Sequence, residues 1–171
     1  MNQDWLYITE FPDYLVHTSG QVYNMRRSRI VTPTPVQDGT LTVCLMRGGR
    51  QLRLTLARLI AAHFLPEPAR DDFNTIIYLD GNKEHCDSSN LMWRPRWFAV
   101  EYHREQRMPP HPNFRGILTL NETGEKFESL VDCARKYGLL QRNIVLSTLK
   151  HPPGNIVRVW PTEFTFSIKS R

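Results

Sequence analysis

Ile77-Tyr78-Leu79-Asp80-Gly81-Asn82-Lys83-Glu84-His85-Cys86-Asp87-Ser88-Ser89-Asn90-Leu91-Met92-Trp93 is the stretch of this 171-residue chain whose reading decides its fold. Ile77 to Leu79 is an apolar, extended entry, Asp80-Gly81 supplies a turn, and a polar loop follows. Asn90-Leu91-Met92-Trp93 is the exit.

On the N-terminal side, residues 1–66 are rich in short β-like runs broken by turns. Trp5, Ile8, Phe11-Pro12, Tyr14, Val16, Ser19-Gly20, Val22 and Asn24 come first, then Pro33, Asp38-Gly39, Leu41, Val43 and Leu45. Thr42 to Met46 alternates, Arg47-Gly48-Gly49-Arg50 supplies a turn, and Gln51 to Leu54 returns, which predicts a hairpin. Arg47, Arg50 and Arg53 stand around its tip and return strand. A two-stranded ribbon fits the major groove of DNA, so these arginines, with Arg26, Arg27 and Arg29, are candidate phosphate or base contacts. The competing reading is that they are solubilising turn charges. Thr55 to Phe64 has helical spacing, with Leu56, Leu59, Ile60 and His63-Phe64 on the apolar side. Leu65-Pro66 ends it, because proline cannot continue the hydrogen-bond ladder. His63 reads as a packed or helix-end imidazole rather than a ligand.

On the C-terminal side, Trp93-Arg94-Pro95-Arg96-Trp97 leads into a helix over Phe98 to Arg107, with Trp97, Phe98 and Tyr102 expected to pack on the preceding hairpin. Residues 67–103 thus form a central core segment. Residues 104–115 are a proline-rich basic linker whose prolines favour an extended course. Arg94, Arg96, Arg104 and Arg107 join the candidate DNA contacts, with a plain spacer as the alternative for the linker. Residues 116–171 read as a second module. Ile117 to Asn121 alternates as a strand, Glu122-Thr123-Gly124-Glu125 turns, and Lys126-Phe127 returns. Ser129 is placed to N-cap a helix over Leu130 to Tyr137, and Gly138 to stop it. A second helix over about Arg142 to Leu149 would bury Val145 and Leu149, and its N-cap would be Gln141 or Arg142. Two helices joined by a glycine-containing turn make a helix-turn-helix pattern. Gln141, Arg142, Asn143, Ser147 and Lys150 are expected to face outward as base or phosphate contacts, against the reading of a helical hairpin that only packs. The apolar runs of Ile156 to Ile168 are expected to return to this module's sheet.

The apolar fraction of 40% supports a packed core. No run reaches the ~18 apolar residues of a membrane span, and the N-terminus lacks the pattern of a signal peptide. The expectation is a cytoplasmic protein without a membrane partner. Cys44, Cys86 and Cys133 form no CxxC pair, so three reduced thiols are expected rather than zinc or disulfides. The net charge of +5 is uneven: residues 104–171 hold 11 Lys+Arg against 6 Asp+Glu, whereas residues 1–76 hold 8 against 7. That excess suits a nucleic-acid partner, though solvated basic faces are common.

The central stretch resembles the core of phage-type HNH homing endonucleases, which pair a ββα nuclease site with modular DNA-binding segments. The N-terminal order from Trp5 to Leu45 and the C-terminal order Thr123-Gly124-Glu125, Phe127-x-Ser129, Ala134-Arg135-x-x-Gly138 are similar to that family's flanking modules. The resemblance implies an α+β fold: a β-rich N-terminal module, an HNH-like ββα core, an extended linker and a small C-terminal hairpin and helix-turn-helix module. It also implies which positions carry chemistry. The metal-binding residues fall on Ile77 and Ala99, the general base on Tyr78, and a later histidine on Tyr102, while the bridging asparagine is kept as Asn90. The helix before the core has Ala57 where the family has a histidine. Ile77 offers a divalent metal no oxygen, and a phenol with an unperturbed pKa near ~10 is a poor base at neutral pH. His85 and His103 lie near the lost positions in sequence but not on them.

The reading is therefore a double-stranded DNA-binding protein derived from an HNH homing endonuclease, its nuclease activity lost, acting as a phage regulator or occupying a site in the host-cell cytoplasm. No catalytic residue, metal or cofactor is expected, and a monomer suffices. Two alternatives stand. One is an active, magnesium-dependent nicking endonuclease with a rearranged metal site. The other is a factor that binds a host or phage protein.

Overall fold

The computed structural model describes residues 4–109, 116–149, 157–161 and 165–169. The chain divides into two compact units, Met1–Ala99 and Val100–Arg171. The expected segment 110–115, Lys150 and the start of the tail at Ile156 lie outside the described residues.

The first unit begins with an antiparallel meander of β1 (Trp5–Tyr7), β2 (Tyr14–His17), β3 (Val22–Asn24) and β4 (Arg29–Ile30). Alternation along β2 buries Tyr14 and Val16 and leaves Leu15 and His17 half-buried. A second sheet holds β5 (Thr34–Pro35), β6 (Leu41–Arg47) and β7 (Arg50–Thr55). Strands β6 and β7 form the expected hairpin, joined by Gly48 and Gly49 at φ 56° and 78°. Two successive left-handed residues match the right-handed twist of the flanking strands, and glycine adopts that conformation without a Cβ clash. Helix α1 (Leu56–Phe64) follows directly, burying Leu56, Ala57, Leu59, Ile60 and Ala61. His63 Nδ1 lies 2.8 Å from the Leu59 carbonyl, the helix-end role read from the sequence.

The central stretch folds as the antiparallel pair β8 (Thr75–Tyr78) and β9 (Leu91–Arg94), with Ile77 opposite Met92 and Tyr78 opposite Leu91. Tyr78, Cys86 and Leu91 share one hydrophobic core with Ile8, Phe11, Tyr14, Val16, Val22, Val43, Leu45 and the buried side of α1. The N-terminal sheets and the central hairpin therefore stabilise each other through common apolar burial. Helix α2 (Arg96–Glu105) starts and ends two residues before the expected span. The Pro95 carbonyl accepts the Ala99 N–H at 3.0 Å and so opens the helix. At its end Arg107 bonds Arg104 and Met108 bonds Glu105, three residues back, so the last turn tightens before Pro109. Phe98 and Tyr102 are fully buried, whereas Trp97 is 53% exposed and meets the Phe98 ring edge-on with centroids 5.7 Å apart.

The second unit contains a sheet in the order β11 (Lys126–Phe127), β10 (Ile117–Leu120), β13 (Thr165–Lys169), β12 (Val157–Arg158), all antiparallel. The tail thus returns to this sheet. Helices α3 (Leu130–Tyr137) and α4 (Gln141–Leu149) cover a core of Leu118, Leu120, Cys133, Ala134, Leu139, Ile144, Val145 and Phe166. Ser129 Oγ accepts the Asp132 N–H at 3.3 Å, and Gly138 ends α3 in the left-handed conformation, both as expected. Helix α4 starts at Gln141, one residue early, and its start is satisfied from elsewhere: Glu105 of α2 accepts the N–H groups of Gln141 at 2.7 Å and Arg142 at 3.3 Å.

Candidate functional site

The loop between β8 and β9 is held by one side chain. Asn90, 6% exposed, accepts the Asp80 N–H through Oδ1 at 3.0 Å, and its Nδ2 donates to Asp80 Oδ1 at 2.9 Å and to the His85 carbonyl at 2.8 Å. Its own carbonyl accepts the Leu79 N–H at 2.8 Å. Asp80 Oδ1 also accepts the Asn82 N–H at 2.8 Å, and Asp80 Oδ2 lies 2.7 Å from His85 Nδ1. Burial pushes the Asp80 carboxyl up, but the bonds from His85, the Asn82 amide and Asn90 outweigh it and leave the pKa below the ordinary value. Asp87 accepts the Ser89 N–H and hydroxyl, opening the short 3-10 turn Ser88–Asn90. Lys83 reaches out of the loop to Asp38 at 2.6 Å.

The four positions to which the resemblance assigns nuclease chemistry lie in apolar interior. Ile77, Tyr78, Ala99 and Tyr102 are each at most 4% exposed. Burial first, and then the neighbouring Cys86, push the Tyr78 phenol well above its ordinary value, and burial pushes the Cys86 thiol up to about 11. A neutral phenol of that kind takes no proton from water at neutral pH. A divalent metal needs oxygen or imidazole donors, and the side chains of Ile77 and Ala99 supply none, so this donor set does not fit the metal of an HNH nuclease. Among the described residues no three His, Cys, Asp or Glu converge as a metal-binding group. The two histidines differ from each other: His85 is exposed beside Asp80, and His103 is half-buried on α2.

The arginines separate into groups. Arg26, Arg27, Arg29, Arg47, Arg50, Arg53, Arg96, Arg104 and Arg107 are exposed. On the β6–β7 ribbon, Arg53 pairs with Cys44 and Gln51 with Met46, on the face opposite the buried Val43 and Leu45. Arg47 and Arg50 pair beside the turn on the other face, where Arg47 Nη1 meets Glu10 at 3.5 Å. The three therefore do not share one reading face. Arg94 is a correction: it is 8% exposed, its guanidinium lies over the rings of Phe73 at 5.8 Å and Phe98 at 5.7 Å, and Nη1 donates to the Trp93 carbonyl. It packs the hairpin against α2 rather than facing solvent. A surface pocket of about 400 Å³ lined by residues including Ile8, Phe11, Leu54, Arg58, Leu59 and His63 contains none of the candidate contacts.

In the second unit Gln141 is also a correction, being 6% exposed at the start of α4. Arg142 and Asn143 are half-buried, and the side chains of Ser147 and Lys150 lie outside what is described. Arg142 Nη1 bonds Glu101 Oε2 at 2.8 Å, and the same oxygen accepts Arg104 Nη2 at 3.0 Å. Sequence reasoning missed Glu101 and Glu105. Both are acidic residues near the start of a basic segment, and the helix they serve begins 36 residues or more along the chain.

No family profile matches the chain. An uncharacterized HNH endonuclease of Acanthamoeba polyphaga mimivirus is 34% identical over 86 residues, half of this chain and 21% of the relative. DNA endonuclease I-HmuI of Bacillus phage SP01 is 26% identical over 147 residues, 80% of this chain and 83% of the relative. H-N-H endonuclease F-TflII of Escherichia phage T5 is 27% identical over half of this chain and 44% of the relative. The chain thus spans about a fifth of the mimivirus protein, under half of F-TflII and most of I-HmuI. A solved structure of the HNH homing endonuclease I-HmuI, described as binding and cleaving DNA, superposes with a TM-score of 0.55 at 21% identity, covering 98% of each chain.

Proposed function

We propose that this chain, whose curated relatives are HNH endonucleases and whose fold is that of the homing endonuclease I-HmuI, is a double-stranded DNA-binding protein that has lost its nuclease activity. The observation that carries the reading is a contrast between the loop of the β8–β9 hairpin and four buried positions, Ile77 and Tyr78 on β8 and Ala99 and Tyr102 on α2. The bonds that shape the loop around Asn90 are made, whereas Tyr78 and Tyr102 are buried phenols in place of exposed imidazole bases and Ile77 and Ala99 offer a metal no ligand. An enzyme of this class needs both a base to activate water and a cation to stabilise charge on phosphate. DNA binding needs only the exposed cationic surface, which the β6–β7 ribbon, the end of α2 and the helix pair α3–α4, a helix-turn-helix, supply here. Such a protein regulates or occupies a site in a phage genome as a monomer in the host cytoplasm, without a metal.

The test is binding to duplex DNA over a range of salt, with magnesium present so that nicks are scored on the same samples. Binding whose log affinity falls by about 0.9 per log salt for each phosphate contact, with intact DNA, is expected. Absence of binding at low salt would sink the reading and point to a protein partner.

One observation favours a second reading, an active nicking endonuclease. Asp80 holds His85 by Nδ1 at 2.7 Å in an exposed position, an arrangement that orients an imidazole as a base. Nicking abolished by His85→Gln would establish it over the first.

A further inference from the structure

We propose that Arg104 of α2 and Arg142 of α4 form a clamp for a single DNA backbone phosphate, with Glu101 fixing the spacing between them. The inference rests on the DNA-binding reading above and specifies one contact of that surface.

Three observations carry it. First, both guanidinium groups converge on one atom. Arg104 Nη2 is 3.0 Å and Arg142 Nη1 2.8 Å from Glu101 Oε2, so the two nitrogens lie no more than about twice a hydrogen-bond length apart. Two cations so close repel unless an anion sits between them, and Glu101, with its side chain 22% exposed, supplies that anion from below. Second, the pair is not sealed. The side chains of Arg104 and Arg142 remain 57% and 40% exposed, and each guanidinium carries five N–H donors. Arg142 Nε also lies 3.9 Å from Glu105 Oε1, so the N–H groups turned toward neither carboxylate are the ones that suit the two non-bridging oxygens of one phosphate. Third, the alternative anion site at this place is filled. Helix α4 would ordinarily offer its first backbone amides to a phosphate, but Glu105 takes the N–H groups of both Gln141 and Arg142. Anion recognition at the start of α4 therefore falls to side chains. Glu101 and Glu105 are positioning residues: one spaces the arginines and the other anchors the helix that carries Arg142.

The experiment is the salt dependence of duplex DNA binding by the full chain with Arg104→Ala, Arg142→Ala and the double substitution. If one phosphate is shared, either arginine alone still neutralises it. Each single variant then binds about tenfold more weakly at nearly the wild-type slope, and only the double variant loses about 0.9 from the slope. A slope lowered by about 0.9 in each single variant and by about 1.8 in the double would mean two separate phosphates and overturn the clamp. So would a double variant that binds like the wild type. Arg142→Lys, which keeps the charge but not the fork, gives an independent measure: weaker binding at unchanged slope supports the clamp, and unchanged affinity contradicts it. A wild-type chain that binds no DNA removes the clamp and the parent reading together, whereas any of the variant failures removes the clamp alone.

Discussion

Asn90 and Asp80 bond in both directions: Asn90 Oδ1 accepts the Asp80 backbone N–H at 3.0 Å while Asn90 Nδ2 donates to Asp80 Oδ1 at 2.9 Å. An amide is the one side-chain type that presents a donor and an acceptor side by side at this length. Aspartate at position 90 would place two carboxylates face to face, and leucine would leave the Asp80 amide and the His85 carbonyl unpaired. Asn90→Ala is expected to destabilise the chain by about 1–2 kcal/mol, because it strands the part-buried groups of Asp80 and His85 rather than removing both partners. Urea unfolding of the two proteins checks this; a loss under about 0.5 kcal/mol would show that solvent replaces the bonds.

The loop is also fitted against the N-terminal meander. A Cβ built on Gly20, whose φ is +86°, would meet the backbone oxygen of Cys86 at 2.8 Å, and the Ser88 N–H bonds the Thr18 carbonyl nearby at 2.8 Å. Gly39 has nearly the same φ, +83°, and open space where its Cβ would go. Alanine at either position meets the same backbone strain of about 1 kcal/mol. Gly20→Ala is therefore expected to cost clearly more than Gly39→Ala in paired thermal melts, the difference measuring the contact with Cys86. Equal losses would mean that the two segments part without cost.

Acid should loosen this loop through two carboxylates. The Lys83 ammonium holds the Asp38 carboxyl well below the usual range, and His85, Asn82 and Asn90 hold that of Asp80 low against the effect of burial. A carboxyl whose folded pKa is depressed binds its proton first in the unfolded chain. Its stabilisation is complete above the unfolded value near ~3.9 and is lost as pH falls through the folded one. Lys83→Met returns Asp38 toward the ordinary value, so its urea midpoint should fall less than that of the wild type between pH 5.5 and pH 3. An equal fall would show that the Asp38–Lys83 pair carries no pH dependence.

Placing at these positions the side chains that the resemblance implies tests how closed the site is. Ile77 is fully buried, so Ile77→Asp places a carboxyl in apolar surroundings with no cation and no oxygen-bearing partner at Ala99. The substitution is expected to cost about 3 kcal/mol or more. Combined with Tyr78→His it should still yield no magnesium-dependent nicks on plasmid DNA. Nicks from the double variant would show that the site opens readily.

Local chemistry was legible in the sequence where the partners are close in the chain. Ser129 and Gly138 mark the two ends of α3 because each bonds within a few residues of itself. The Gly48-Gly49 turn similarly fixes the register of β6 against β7. What was not legible depends on distance. The start of α4 has no small polar cap because Glu105 supplies one from α2, so a search for a local cap finds only Gln141 or Arg142. Burial of charge was misread for a related reason. An arginine is expected outside, and nothing near Arg94 in sequence announces that the Phe73 ring will cover it. That Ile77, Tyr78 and Ala99 carry no metal-binding oxygen or imidazole base was visible as letters, while their inclusion in packed interior needed the fold.

Arg53 and Arg94 should separate DNA contact from packing. Arg53 is exposed on the outward face of the β6–β7 ribbon beside Gln51, and no ion pair holds it among the described residues. Arg53→Ala should weaken duplex binding and lower the salt slope by about 0.9 if it neutralises a phosphate, with little change in melting temperature. Arg94 lies between two aromatic rings and bonds the Trp93 carbonyl, so Arg94→Ala leaves a gap at the hairpin–α2 contact and a carbonyl without that donor. It should lower stability by about 2 kcal/mol while the protein that remains folded keeps the wild-type slope. Measured together, the pair gives opposite signatures: slope without stability for Arg53, stability without slope for Arg94. A changed slope in Arg94→Ala at unchanged melting temperature would return that residue to the DNA-binding surface.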